Sequence, residues 1–154
     1  NGGPPNPGAW TGLPANPTLN PGEAGFFRDA GGGTGQTLTF VGEVLQGSLT
    51  NTLPHGNAIR ASIVPQAGLA SSVLGVPGED GDQMYVYNGG YSAYVFDLFK
   101  NGGPPAAGGW TGSLPAGGGA VADGGPPIAV GQGFFYKKVL TGTATSWVRN
   151  FTVQ

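Results

Sequence analysis

Glycine and proline recur so often along this chain that every regular element has to be short. The 154 residues include 32 glycines and 14 prolines, and the longest stretch without either covers only residues 143–154. Both residue types destabilise helix interiors, and proline is excluded from central strands. The spacing excludes a helical protein and also a membrane-spanning helix, which needs about 20 consecutive apolar residues.

The chain nevertheless has the apolar content of a folded protein. Hydrophobic residues make up 38% of it, aromatic residues make up 10%, and the net charge is only −2. Disordered chains combine low hydrophobicity with high net charge, and this chain has neither property. We therefore expect a folded core built largely from aromatic and small side chains.

The segments between the glycine and proline clusters are predicted to be strands, because most alternate polar and apolar residues. Asn88-Gly89-Gly90 separates two tyrosine-rich segments and is typical of a tight hairpin, so residues 83–99 are predicted to form a β-hairpin. A single helical turn near residues 69–74 would not change the class. The pattern predicts an all-β fold, an antiparallel β-sandwich or barrel with Gly/Pro-rich loops. The predicted strands are residues 36–45, 58–64, 83–88, 91–99, 133–139 and 146–153.

An internal repeat is predicted from words that recur in the same order. Residues 1–5 (NGGPP) recur as residues 101–105, and the WTG word at Trp10 recurs at Trp110. Residues 19–27 resemble residues 128–135, and residues 40–44 line up with residues 147–151. In this register residues 46–154 form one complete repeat unit, and residues 1–45 form the second half of another. The pairs Trp10/Trp110, Phe27/Phe135 and Phe40/Trp147 are expected at matching positions.

The incomplete first unit predicts an assembly. Strands expected at residues 25–27 and 36–45 have no upstream partners in this chain, and unpaired strand edges are usually covered or paired with another chain. We therefore expect another copy of the chain to complete the unit by strand pairing. The alternative is that residues 1–45 pack on the complete unit of their own chain.

Several of these words resemble an uncharacterised family of secreted or cell-surface proteins from planctomycete-like and verrucomicrobia-like bacteria. They are GEVLQG at residues 42–47, VPQAG at 64–68, VGQGFF at 130–135 and WVRNF at 147–151. The resemblance spans nearly the whole chain and implies an extracellular setting. It implies no activity, and the missing first half-unit departs from the family pattern of two consecutive units.

The charge content limits the partners and the location. Charged residues make up only 9% of the chain, and the basic ones are scattered rather than clustered, which excludes a nucleic-acid partner. A surface so poor in charge favours an extracellular or assembled protein. The first residues carry neither an initiator Met nor a signal peptide, so we expect that a preceding segment was removed.

Residues with catalytic chemistry are scarce. The chain has no Cys, and its single histidine, His55, lies in a turn sequence, so a thiolate site or a histidine cluster cannot form within it. The glycine-rich segments 31–35 and 117–119 lack the Lys-Ser/Thr of a phosphate-binding loop. We predict no enzymatic activity and no required cofactor.

A calcium site is one interpretation of the acidic turn at residues 79–82. Asp80 and Asp82 flank Gly81, and such a turn can present carboxylate oxygens to calcium, which prefers hard oxygen ligands. The other interpretation is a solvated turn in which aspartate caps the backbone.

The aromatic residues also have two interpretations. They could form a stacking platform for sugars, or they could supply the core in a chain with few large aliphatic residues. The sequence therefore predicts a secreted structural protein that assembles with copies of itself, and a carbohydrate-binding or adhesive module is the alternative. The candidate platform residues are Trp10, Trp110, Tyr85, Tyr87, Tyr91 and Tyr94.

Overall fold

The protein is an antiparallel β structure. The computed structural model describes residues 18–26, 43–112, 124–139 and 144–153. This part of the chain has no helix and 44% strand, so the predicted all-β class is confirmed, and its sheets are not closed into a barrel. Its strands are β1 (Gly47–Leu53), β2 (Gly56–Ala61), β3 (Gly68–Leu69), β4 (Gln83–Tyr87), β5 (Tyr91–Asp97), β6 (Gly109–Thr111), β7 (Pro127–Ile128), β8 (Gly133–Lys138) and β9 (Thr145–Phe151).

Five of these strands form one antiparallel sheet in the order β2-β8-β4-β5-β6. The predicted hairpin at its centre is confirmed, because β4 pairs with β5 and Tyr87 lies opposite Tyr91. Gly89, in the connecting turn, has a φ of 76°, a conformation that glycine adopts without steric strain. The Asn-Gly-Gly signal was therefore sufficient to place this turn.

A second, two-stranded sheet is formed by the seven-residue strands β1 and β9. The predicted alternation in β9 is confirmed, since Trp147 is buried while Val148 and Asn150 are exposed. A third sheet consists of the two-residue strands β3 and β7. The segment after β3, residues 70–74, is a turn rather than a helix.

The strand predicted at residues 36–45 is wrong where it can be checked. Residues 36–42 lie outside the described part, and residues 43–46 are not in a strand. The strand begins at Gly47 instead, and its inward positions Leu49, Asn51 and Leu53 include a buried asparagine. Asn51 Nδ2 donates to the carbonyls of Gly22 and Ala61 at 3.2 and 3.0 Å. Strand prediction depends on alternation of polar and apolar residues. A hydrogen-bonded asparagine at a buried position interrupts that pattern in the sequence.

The core lies between the five-stranded sheet and the β1–β9 sheet. Phe134 of β8 contacts Trp147 of β9 across it, with ring centroids 6.1 Å apart. The turn after β3 satisfies both buried indoles: Trp147 donates to Leu74 O at 2.7 Å and Trp110 donates to Ser71 Oγ at 2.8 Å. The fully buried members are Leu53, Ala70, Leu74, Val76, Met84, Val86, Trp110, Ile128, Phe134, Tyr136 and Trp147.

Residues 18–26 pack on their own chain. Gly22 O accepts a hydrogen bond from Ala61 N at 3.0 Å, and Glu23 forms a β-bridge with Arg60 at the free side of β2. Residues 25–26 are not in a strand, so the strand predicted at 25–27 is wrong for the residues that the structure describes. Residues 18–26 therefore pack on the complete unit of their own chain, which was the alternative to completion by another copy.

Two turns on either side of β2 have the same geometry. Glu23 N donates to Asn20 O and Gln132 N donates to Ala129 O, at 2.9 and 3.1 Å. In each turn the last side chain accepts a hydrogen bond from the first backbone N–H at 2.9 Å. These turns belong to the recurring words at 19–27 and 128–135. The repeat itself stays a prediction, since Trp10, Phe27 and Phe40 lie outside the described residues.

Candidate functional site

The outer side of β9 is a backbone edge with no partner in the described part of the chain. Val153 N donates to Gln46 Oε1 on the β1 side at 3.0 Å. Because backbone groups alternate in direction along an antiparallel strand, the N–H and C=O groups of Ser146, Val148 and Asn150 point away from β1. The side chains of these three residues are also exposed, so nothing in the described part of the chain covers this edge.

The outer side of β1 is partly covered. By the same alternation, Ser48, Thr50 and Thr52 direct their backbone groups away from β9. Arg60 Nε donates to the Thr52 carbonyl at 2.8 Å, which occupies one acceptor of this edge. The backbone groups of Ser48 and Thr50 have no such contact among the described residues.

A cluster of aromatic rings covers the face of the five-stranded sheet that points away from the core. We call Phe26, Tyr87, Tyr91 and Phe135 the aromatic face. Phe26 stacks on Phe135 with centroids 5.3 Å apart, and Tyr87 meets Tyr91 edge to face at 5.1 Å. Phe26, Tyr87 and Tyr91 are 58%, 49% and 56% exposed. A cavity of about 170 Å³ lies among these rings, and none of its lining residues is charged.

The structure divides the predicted platform residues between the core and this face. Trp110 is fully buried, and Tyr94 packs against the core cluster. Tyr85 lies beside the aromatic face and donates to Gln83 Oε1 at 2.6 Å, and Trp10 is outside the described residues. The prediction omitted Phe26 and Phe135, although the alternation of Phe135 with the buried Phe134 and Tyr136 was a usable signal.

The rings of the aromatic face do not lie in one plane. Tyr87 and Tyr91 are inclined to each other at 60°, and Phe26 is inclined to them at 80° and 62°. A flat stacking surface for an extended sugar chain needs roughly coplanar rings. This geometry instead suits a pocket that holds one ring-sized group.

The acidic turn is organised around a buried aspartate. Asp82 is 0% exposed, and Oδ2 accepts from Glu79 N at 3.0 Å and from the Tyr136 hydroxyl at 2.6 Å. Its Oδ1 accepts from Val139 N at 3.1 Å. Burial and this hydrogen bond to Asp82 raise the pKa of Tyr136 far above its usual value. Asp82 therefore caps the backbone, as the second interpretation of the turn expected, but it is buried rather than solvated.

Asp80 accepts its hydrogen bond from a different segment of the chain. Its Oδ1 accepts from Leu98 N at 3.0 Å, on the segment that follows β5. In the described part of the chain no group of three His, Asp or Glu side chains could hold a metal ion. Calcium binding by Asp80 and Asp82 stays a prediction, with both carboxylates already accepting hydrogen bonds from the protein.

A lysine that the sequence did not single out lies inside this acidic cluster. The Lys138 side chain is 1% exposed, and Nζ lies 2.7 Å from Glu79 Oε1 and 3.7 Å from Asp82 Oδ2. The nearby ammonium, followed by the Thr145 hydroxyl, holds the pKa of Glu79 below its usual value of 4.5. His55, in contrast, is exposed in the turn between β1 and β2.

An apolar groove of about 400 Å³ lies where the chain enters β1. Most of its lining is apolar, with Val44 and Leu45 before β1, Val64 after β2 and Val130 before β8, and the charged Glu43 also lines it. Val44, Leu45 and Val130 are exposed. The groove therefore adds apolar area to the surface at the start of the two-stranded sheet.

Comparison of the sequence with protein-family models, with curated proteins and with solved structures finds no match. None of the described residues belongs to a helix that could cross a lipid bilayer.

Proposed function

We propose that this protein is a structural subunit of an extracellular assembly and that its copies join by strand pairing at the β1–β9 sheet. The observation that carries the proposal is the outer edge of β9, a seven-residue strand that pairs on one side only in the described part of the chain. Isolated two-stranded sheets are marginal in water. A further strand on this edge provides hydrogen-bond partners for the outward N–H and C=O groups of three residues at once.

The partner that fits best is β1 of the next copy. Antiparallel addition of β1 to β9 continues the same ladder as a four-stranded sheet, β1-β9-β1-β9. This contact joins two different surfaces, so it is heterologous and closes into a ring or continues as a filament. The Arg60 side chain has to release Thr52 O for full pairing, and the neighbouring Ser48 and Thr50 can pair without that change.

The composition supports association between copies of the chain. Charged residues are only 9% of the chain, and low charge favours association over dispersion. The proposal includes no catalytic role, because the single histidine is exposed in a turn and the acidic cluster is occupied by structural hydrogen bonds.

The test of assembly is molar mass by light scattering over a range of protein concentrations. We expect mass above that of the monomer for the wild type and for Val148→Thr, which keeps the backbone N–H. Val148→Pro removes an outward N–H that has no partner within the described chain, so it should return the protein to a monomer with little loss of stability. A monomeric wild type at all concentrations would contradict the proposal.

A second candidate function is carbohydrate binding at the aromatic face. The favouring observation is the uncharged cavity among Phe26, Tyr87, Tyr91 and Phe135. The negative faces of these rings attract the polarised C–H groups of a pyranose, and neutral sugars need no charged partner. The ligand expected here is one residue of a neutral polysaccharide rather than a long flat stretch.

Binding to an array of neutral polysaccharides tests this second function. Tyr91→Ala should remove most of the binding, because Tyr91 contacts three other rings of the cluster. Phe99→Ala is the matched control, since Phe99 is also an exposed aromatic residue, at 63%, but does not line the cavity. Equal binding by both variants, or no binding by the wild type, excludes the aromatic face as a sugar site.

A further inference from the structure

The buried Lys138 is the least expected group in the described part of the chain. Its amine is enclosed with two carboxylates, Glu79 at 2.7 Å and Asp82 at 3.7 Å, and both the Lys138 and Asp82 side chains are almost completely buried. The contact with Glu79 is an ion pair without aligned hydrogen-bond geometry, and Nζ has no hydrogen-bond partner among the described residues. An ordinary buried ion pair is usually completed by such bonds.

The strand register brings these two buried groups together. Gln83 of β4 lies opposite Lys137 of β8 in an antiparallel pair. The next pair in that register is Asp82 and Lys138, which therefore face each other across neighbouring strands. Such cross-strand neighbours have Cβ atoms about 5 Å apart, within reach of one amide linkage between their side chains.

We propose that Lys138 and Asp82 join in an intrachain amide bond. Nζ of Lys138 bonds to Cγ of Asp82, the Cγ–Oδ2 bond breaks, and Oδ2 leaves as water with two of the three ammonium protons. The third proton stays on the amide nitrogen. The atoms and charges balance without an oxidant or a co-reactant, since one ammonium and one carboxylate give one amide and one water.

The surrounding groups are placed to assist this condensation. Glu79 Oε1, 2.7 Å from Nζ, can take a proton from the ammonium and deliver it to the departing Oδ2, which makes it a general acid–base. Val139 N donates to Oδ1, where negative charge develops as nitrogen attacks, in the manner of an oxyanion donor. The Tyr136 hydroxyl donates to Oδ2 and holds the carboxyl group in place.

The interior also favours the product. Each of the two buried charges carries a desolvation penalty in the protein interior. The amide removes both of them and ties β4 to β8 covalently. The energetic cost of enclosing Lys138 then disappears from the folded protein.

Mass spectrometry of the denatured chain tests the amide. We expect an intact mass lower than the sequence mass by one water molecule. Trypsin should then release one branched peptide that joins residues 61–100, which contain Asp82, to residues 138–149, because an acylated Lys138 is not cleaved. A tryptic peptide 139–149 appears only where Lys138 is free.

The peptide map also separates this reaction from water loss at Asp80-Gly81, because an Asp-Gly sequence can cyclise on its own backbone. That product is a linear peptide 61–100 lighter by one water, and it persists in Lys138→Met. Lys138→Met should restore the full mass if the amide is the source of the loss.

Two further variants make the test specific. Glu79→Gln keeps both reacting groups but removes the proton relay, so the cross-linked fraction should fall well below that of the wild type. Lys137→Met changes the neighbouring lysine, on the other side of β8, and should leave the cross-link complete. A wild type with full mass and abundant peptide 139–149 would overturn the proposal.

Discussion

The five-stranded sheet and the β1–β9 sheet enclose the same core, but their edges differ. At one edge of the larger sheet, β2 is met by Gly22 and Glu23 of the same chain, and at the other edge β6 is only three residues long. The smaller sheet has two seven-residue strands, each with one partner in the described part of the chain. Natural sheets usually protect their edges with short strands or covering segments. The larger sheet follows that rule, whereas among the described residues the outer edge of β9 in the smaller sheet has no strand partner.

Trp147 is the residue that most strongly joins the two sheets into one core. It lies on β9 but contacts Phe134 of the larger sheet and donates to Leu74 O. We expect Trp147→Ala to lower the free energy of unfolding by about 3–5 kcal/mol, because it opens a large cavity. Urea denaturation measures this loss in the free energy of unfolding. Val148→Ala, at the exposed neighbouring position, should change stability by about 0.5 kcal/mol or less.

The packing that covers the edge of β2 can be tested by substitution in the turn that contains Gly22. Gly22 and Gly131 occupy equivalent turn positions with φ values of 87° and 71°. Alanine at Gly131 meets nothing nearby, whereas a Cβ at Gly22 collides with the Asn51 side chain. We expect Gly131→Ala to cost about 1–2 kcal/mol from backbone strain, and Gly22→Ala to cost about 1–3 kcal/mol more through overpacking. Equal losses in urea denaturation would mean that Gly22 does not pack on β1.

Asn51 links the two sheets, because it lies on β1 and binds the carbonyls of Gly22 and Ala61. We expect Asn51→Ala to destabilise the protein by about 1–3 kcal/mol, since Ala61 O then loses its side-chain donor in a part-buried site. Thr50→Ala is the control, because Thr50 is exposed and should have almost no effect. Thermal melting of the three proteins is a sufficient measurement.

The smallest expected effect is a pH-dependent contribution to stability, which only one of the two similar turns should make. Backbone and side-chain hydrogen bonds from Asn20 lower the pKa of Glu23 from 4.5, so Glu23 stabilises the fold above that pH and loses this contribution as pH falls through its folded pKa. Gln132, at the last position of the other turn, is uncharged and makes no such contribution. Glu23→Gln should therefore melt slightly below the wild type at neutral pH and level with it near pH 3, by differential scanning calorimetry. A constant difference across that range would assign the effect to something other than titration.

The sequence predicted the parts of the fold whose signals are local. Asn88-Gly89-Gly90 placed the β4–β5 hairpin, and alternation placed β8 and β9 within one or two residues. β1 was missed because the buried Asn51 reads as a polar position until its distant carbonyl partners are known. β6 was missed because it is a three-residue strand around Trp110, between glycine-rich segments.

The candidate sites depend on long-range contacts and were harder to predict. Alternation in β8 places Phe135 on the face opposite Phe134 and Tyr136, but both faces carry aromatic residues, so the sequence alone does not show which face is buried. The burial of Lys138 follows from its register against β4, and adjacent lysines at 137 and 138 give no local sign of which one points inward. The acidic turn was recognised, but not the lysine that faces it.

Amide hydrogen exchange of β9, measured by NMR at low and high protein concentration, tests the assembly most directly. We expect the amides of Trp147 and Arg149, which face β1, to be protected at both concentrations. The outward amides of Ser146, Val148 and Asn150 should exchange quickly in dilute protein and become protected when chains pair. Rapid exchange of these three amides at every concentration would contradict strand addition at this edge.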